Sequence, residues 1–511
     1  MTCFLPPAGL HSKITFSPTR KQRHAVPRCS GAAPLKATPL PAPPHHWRIP
    51  VIGFLLESFL VKDASLKNAR KYGEIYTTDV LGKKSVIVTT GELARHVLRE
   101  GQIFKCEGSA TKGMLELLGE DLLINIDGAL HRKRRNSMSP ALMPSVLPLY
   151  WGLIRDVCRD FCKRFEANST GDTWCMSGPL LRTLTFQVIV KLTLATELDA
   201  DLMEMQELFG KLAKGFIAFE LPFCIGPYGE AIRARDRLKV MIGKAIDHKL
   251  DEDKDEIEEL RKGGTDENSL RRTAVSLVKS GKLDAISILL AQFDPEADDY
   301  YDQAVNATLT FWFAGSETTS AAALSVLHEL SNRQSLVSEL VKEQERIQAE
   351  HGDLTYKQLG MMDLLDGTIT EVLRMRSPAS GATRFASQDT TMAGYKVSKG
   401  TFVAPDFKAA LRDPADYPNP DVFDPRRYID NRGRRRDVQL LTFGGGSHVC
   451  LGASLVKIEL VTFFATLLRN YDIVFKQNEK DNFVPLPIVQ PVSQVPVKVA
   501  KRAAVSSAVP L

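Results

Sequence analysis

The stretch FGGGSHVCLG, residues 443–452, sets one cysteine among four glycines. Such a run makes poor helix and poor strand, so it reads as a tight loop with backbone angles that favour glycine. The segment after it, ASLVKIELVTFFATLL (453–468), has the pattern of a largely apolar helix. The loop therefore presents Cys450 at the start of a helix, where free N–H groups and the helix dipole favour a thiolate.

A chain of 511 residues can bury a large core. Its eight cysteines (3, 29, 106, 158, 162, 175, 224 and 450) show no CxxC pair and no framework spacing, which points to a reducing compartment. Cys158 and Cys162 are spaced to share one helical face. Residues 1–56 hold seven basic side chains and no acidic one; the remainder has 59 basic against 61 acidic. The near-neutral body argues against nucleic acid as a partner.

The first 40 residues are basic, acid-free and rich in Ser, Thr, Ala and Pro, which is transit-peptide composition. The expectation is a plastid or chloroplast protein, with a mitochondrion or a cytoplasmic, membrane-peripheral enzyme as alternatives. No segment reads as long and apolar enough to span a bilayer. The apolar stretch near 49–62, interrupted by Glu57, suits a peripheral membrane contact.

Further along, GEIYTTDVLGKKSVIVTT (73–90) alternates apolar and polar residues around 82–84, as a hairpin does. DDYYDQAVNATLTFWFAGSETTSAAALSVLHELSNR (298–333) is a long helical pattern, apolar nearly all round at its centre, and belongs in the core. Short strands return near 390–405 and 482–499. The charged run 251–275 reads as a solvated insertion between helices. The sum is a mainly α fold with a small β portion.

The spacing F-x-x-G-x-H-x-C-x-G, given by Phe443, Gly446, His448, Cys450 and Gly452, resembles the haem-binding loop of the cytochrome P450 family. Glycines let backbone and sulfur approach a flat macrocycle, and backbone donors to the sulfur tune the iron. By this resemblance Cys450 is the iron ligand of haem b (iron-protoporphyrin IX), and Phe443 shields its sulfur. EVLR supplies Glu371 and Arg374, one helical turn apart, and FDPRRY (423–428) supplies Arg427; together they resemble the family's Glu-Arg-Arg network, which locks the fold beneath the loop.

AGSETTS (314–320) resembles the family's oxygen-activation segment. Ala314 and Gly315 are small enough for the helix to pass close to the haem and bend locally. By the same resemblance Glu317 and Thr318 relay protons; a carboxylate and a hydroxyl are otherwise costly inside an apolar helix unless paired or hydrated. The competing reading is a threonine bonded to the preceding turn's carbonyl. His131 and Arg135 share one face of DGALHRKRRNSM (127–138) and, with Arg384 and His448, match the family's propionate-binding bases.

The resemblance implies a single haem domain over 41–500, with a leader at 1–40 and a disordered tail at 501–511. The activity it implies is monooxygenation of a lipophilic substrate with dioxygen and two external electrons. Several stretches are most similar to the soluble retinoid-hydroxylating branch of cyanobacteria and its animal relatives. Plastid carotenoid hydroxylases share the AGxETT segment and compete for the substrate assignment. Pocket segments implied are 108–124, 216–223, 311–313, 377–383 and 487–492. No flavin or nicotinamide domain follows the loop, so an external donor is implied. An acidic ferredoxin would be steered by Arg132, Lys133, Arg134 and the basic run 432–436. The chain is expected to act as a monomer. Two other classes stay open: a reductant-independent hydroperoxide isomerase or dehydratase, and a non-catalytic haem protein.

Overall fold

The computed structural model describes residues 42–46, 57–58, 60–61, 63–80, 83–194, 199–216, 226–262, 285–430, 440–476, 482–485 and 488–502. The leader, the tail beyond Arg502, most of the 49–62 stretch, residues 217–223 of the implied pocket and the basic run 432–436 lie outside these residues. The first two residues of the expected disordered tail are ordered, Lys501 closing a strand and Arg502 pairing with Asp472 at 2.9 Å.

The hairpin forms between Ile75–Val80 and Lys83–Val88, antiparallel from Ile75↔Val88 to Val80↔Lys83. Its second strand pairs in parallel with Phe402–Pro405, and Arg384–Ala386 and Phe104–Lys105 complete a five-stranded sheet. Thr390–Met392 and Tyr395–Val397 form a separate hairpin, and Tyr471–Phe475 pairs with Pro496–Lys501. Helices supply the rest of the core, as the mainly α reading expected.

The longest helix among the described residues, Tyr300–Ser331, has Asp302 in its first turn, where the helix dipole favours an acid. Every side chain from Thr319 to Leu330 is buried. Trp312 is fully buried and donates its indole N–H to Thr193 Oγ1 at 2.8 Å, which ties it to the helix Ser177–Leu194. Thr185 reinforces that contact by donating to Ser316 O at 3.0 Å.

The helix Ala453–Asn470 packs on Leu147–Ala167 through Phe463 against Phe165, with Trp151 Nε1 donating to Thr462 Oγ1 at 3.2 Å. By length and hydropathy the segment Gly446–Asn470 could cross a membrane, contrary to the sequence reading. Phe463, Phe464 and Leu468 are fully buried in the protein, so its apolarity is that of a core helix. Cys158 and Cys162 do share the buried face of the Leu147–Ala167 helix, as free thiols.

The charged run at 251–275 departs from expectation in its first half. Lys254–Lys262 is a helix whose Ile257 and Leu260 are buried, and it packs against the apolar helix Ala285–Gln292. Two apolar residues at i and i+3 suffice to dock a short helix among charges; positions 263–275 lie outside the described residues.

Candidate functional site

The cysteine loop is held by backbone geometry. Gly444 and Gly446 have φ of +73° and +65°, in the left-handed region. A Cβ on Gly446 would lie 2.1 Å from Leu98 O, so the loop can reach the helix Gly91–Arg99 only with glycine there. Cys450 N–H donates to Phe443 O at 2.8 Å, which closes the loop on itself.

Cys450 lies three residues before the helix Ala453–Asn470 and is an exposed free thiol. Burial pushes the thiol up; the Gly452 N–H, the Arg135 guanidinium and the Ala453 N–H pull it down, and burial prevails. The helix terminus alone therefore does not make the thiolate that the sequence pattern suggested. A coordinated metal ion deprotonates a thiol outright.

Basic groups gather beside the loop. The His131 and His448 rings stack with centroids 3.9 Å apart. Burial, then His448 and Arg135, push His131 down to about 4. Its Nε2 is buried without a hydrogen-bond partner. His448 Nε2 lies 3.1 Å from Ile126 O, and its titration is lowered by burial, with Arg384 and Arg135 also acting against its charged form. Arg384 is nearly buried and donates to Thr383 O at 2.9 Å. The carboxylate here, Asp127, already accepts the N–H groups of Cys106 (2.6 Å) and Glu107 (2.9 Å).

Such a set fits a haem. An outward-facing thiol with two backbone donors suits the iron, and bases around an orphaned ring nitrogen suit two propionates. Ala314 adds to the fit: it is exposed midway along a helix whose side chains from Thr319 to Leu330 are all buried.

Glu317 and Thr318 follow on the same helix. Burial raises Glu317 above its ordinary value, opposed by Arg182. Thr318 Oγ1 donates to Ala314 O at 2.6 Å, the intrahelical bond of the competing reading. That bond uses the hydroxyl proton and leaves oxygen lone pairs available as acceptors. Helical geometry continues through the segment without interruption. Gly315 faces the neighbouring helix, where a Cβ would lie 3.2 Å from Ile189 Cδ1, so its small size serves helix packing.

The Glu371–Arg374–Arg427 set comes together. Arg374 bonds Glu371 twice at 2.8 Å, and Arg427 Nε donates to Glu371 Oε1 at 3.0 Å. Two members escaped the sequence reading: Tyr428 OH donates to Glu371 Oε2 at 2.8 Å, and Asp424 N–H to Oε1 at 3.0 Å. Both stand in the FDPRRY motif that signalled Arg427.

Two expectations fail on packing. Phe311 and Trp312 belong to the core, and only Phe313 of that trio stays partly exposed, against Phe216 at 4.1 Å between centroids. Arg134 is not a docking charge. It turns inward to Asp121, Asp299 and Gln303, leaving Arg132 and Lys133 exposed.

The family model "Cytochrome P450" matches residues 41–499. Among curated proteins, cytochrome P450 120 of Synechocystis sp. is 26% identical over 475 residues, covering 91% of this chain and 98% of that one. Cytochrome P450 26B1 of Xenopus tropicalis is 25% identical, covering 91% and 87%. Beta-amyrin 11-oxidase of Glycyrrhiza uralensis is 27% identical, covering 90% and 91%. The solved structure of retinoic acid-bound cyanobacterial CYP120A1 superposes with a TM-score of 0.75 at 24% identity, over 91% of this chain and all of that one, which shows the same fold.

Proposed function

The chain belongs to the cytochrome P450 family of haem monooxygenases, and on that premise we propose that it hydroxylates an isoprenoid lipophile, retinoid- or carotenoid-like. The observation that carries this reading is Cys450, held outward at a helix terminus with bases gathered beside it. The substrate class draws support from relatives named for retinoic acid and beta-amyrin, and from the largely apolar stretch 216–223.

In this reading Cys450 binds the iron of haem b, and His131, Arg135, Arg384 and His448 receive the propionates. When bound, the haem supplies the dioxygen chemistry and the redox centre. The chain supplies orientation and protons. Burial favours the protonated form of Glu317, which would let it give a proton. Thr318, its own proton on Ala314 O, presents an oxygen that would accept a hydrogen bond and hold a water in place. Ala314 keeps that side of the helix low, so a flat group and a substrate carbon both fit against it.

The electron donor is an acidic ferredoxin that docks on exposed Arg132 and Lys133. The acid-free leader directs the chain to a plastid, where the stretch near 49–62 touches a membrane surface, and the enzyme works as a monomer. Titrating the haem-loaded full chain with retinoids, carotenoids, sterols and fatty acids tests the substrate class. A saturable low-to-high-spin shift with an isoprenoid is expected; a shift with fatty acids alone contradicts it.

A further inference from the structure

Glu317 has a charged neighbour that is tied to a different part of the chain. The helices Tyr300–Ser331 and Ser177–Leu194 run antiparallel side by side: Trp312 meets Thr193, Gly315 meets Ile189, and Ser316 O accepts from Thr185. Arg182 lies one turn before Thr185 on the same face, so this register turns it toward Glu317. Among the described residues, from every element packed on the long helix, Arg182 is the charged group that acts on the Glu317 carboxyl.

The two do not close into an ion pair, although opposite charges in a half-buried setting favour one. Arg182 instead donates through Nη2 to Gln494 Oε1 at 3.2 Å. No described residue hydrogen-bonds to the Glu317 carboxyl.

An unusual backbone aims the Gln494 amide at Arg182. Gln494 and Val495 have φ of +55° and +45°, in the left-handed region that side-chain-bearing residues rarely occupy, β-branched valine least of all. The start of the Ser177–Leu194 helix pins this turn. Gly178 N–H donates to Gln494 O at 3.2 Å, and Ser177 Oγ lies 2.9 Å from that oxygen and 2.7 Å from Val495 O. Gly178 also gives the amide room, since a Cβ there would collide with Gln494 Oε1. Strain that its surroundings hold in place marks a position whose geometry matters.

We propose that Gln494 and Arg182 are positioning residues for the oxygenation reaction: the Gln494 amide holds the Arg182 guanidinium beside Glu317 but out of an ion pair with it. Closed on Glu317, the guanidinium would fix a carboxylate with no proton to give. Withdrawn altogether, it would leave a buried carboxyl that holds its proton too tightly. Between these limits Glu317 can release a proton and take up another. The inference rests on the reading of Glu317 as a proton source and adds the residues that tune it. It also ties that acid to the turn after Gln490–Pro491, a strand that packs on the Tyr300–Ser331 helix and lies in the implied pocket segment 487–492.

The test follows Glu317 through the pH dependence of unfolding of the haem-loaded full chain. Each protein is compared with the same protein carrying Glu317→Gln, and the pH at which the stability difference levels off gives the folded-state midpoint of Glu317. Arg182→Gln should raise that midpoint by about one pH unit, because the opposing charge is gone. Gln494→Gly, at a position whose backbone suits glycine, frees the guanidinium to pair and should lower the midpoint by a similar amount. Combined, the two changes should match Arg182→Gln alone, and Arg182→Lys, which keeps the charge, should stay below Arg182→Gln. A merely structural contact would not give opposite signs. Should Arg182→Gln fail to fold, Gln494→Gly decides: a midpoint unchanged or raised overturns the proposal, as do shifts of the same sign in both variants. The measurement needs neither substrate nor electron donor, so its failure leaves the isoprenoid reading to the spin-state titration.

Discussion

Arg374 holds Glu371 through two parallel hydrogen bonds of 2.8 Å, Nε to Oε2 and Nη2 to Oε1, with neither side chain exposed. The pair sits on one helix, Asp363–Met375, but its other partners come from residues 424–428 and from Leu411 O, which accepts Arg374 Nη1 at 2.9 Å. It therefore fastens three separate segments of chain.

Arg374→Ala should cost about 3–5 kcal/mol, because it strands a buried carboxylate rather than merely losing a contact. Denaturant unfolding of the two proteins measures this directly. A pH dependence follows. Burial would raise Glu371, but the Arg374, Asp424 and Tyr428 bonds outweigh it and hold the carboxyl below its ordinary value. Its stabilisation is thus present above the unfolded carboxylate range and is lost as pH falls through the lower folded value. An Arg374→Ala protein as stable as the wild type would remove the locking role.

Glu317 has the opposite sign. Burial raises its folded value, so the folded state binds the proton more tightly than the unfolded chain does. Wild-type stability, relative to Glu317→Gln, should fall as pH climbs from below the unfolded carboxylate value through the folded one. Parallel stability–pH curves for the two proteins would show that Glu317 is not protonated by its surroundings.

Gly446→Ala should destabilise the loop and impair haem retention. The left-handed φ of +65° alone costs a side-chain-bearing residue on the order of 1–2 kcal/mol. The contact with Leu98 O adds to it, since backbone cannot swing aside as a flexible side chain can. Haem content after purification and thermal unfolding report the two effects; a variant that matches wild type in both would mean that the loop has room to spare.

Arg132 and Arg134 should behave differently despite standing two residues apart. Arg132→Glu leaves the fold intact and slows reduction by an acidic ferredoxin most at low salt, where screening is weakest. Arg134→Glu faces Asp121 and Asp299, so it lowers stability instead. Stopped-flow reduction across a salt series separates them, and a salt-independent rate for Arg132→Glu would end the docking assignment.

The parts of the site that were legible in the sequence are those whose spacing carries geometry. Cys450 in its glycine loop, Glu371 and Arg374 one turn apart, and His131 with Arg135 are local patterns, and local patterns survive folding. What stayed hidden depends on distant neighbours. Helical spacing alone cannot say that Arg134 turns to Asp299, 165 positions on, or that His131 stacks on His448. Gly315 looked like clearance for a cofactor because nothing in the sequence places Ile189 opposite it. The Lys254–Lys262 helix was masked by its charges, since two buried apolar residues are a faint signal among seven polar ones.

The account stands on Cys450 as the iron ligand. The most direct measurement is the absorption spectrum of the reduced, carbon monoxide-bound haem protein, compared between wild type and Cys450→His. The wild type should show the strongly red-shifted main band of a thiolate-ligated haem, and the histidine variant, if it retains haem, the shorter-wavelength band of an imidazole-ligated one. A variant that kept the red-shifted band, or a haem-loaded wild type that never showed it, would contradict thiolate ligation by Cys450 and the chemistry built on it.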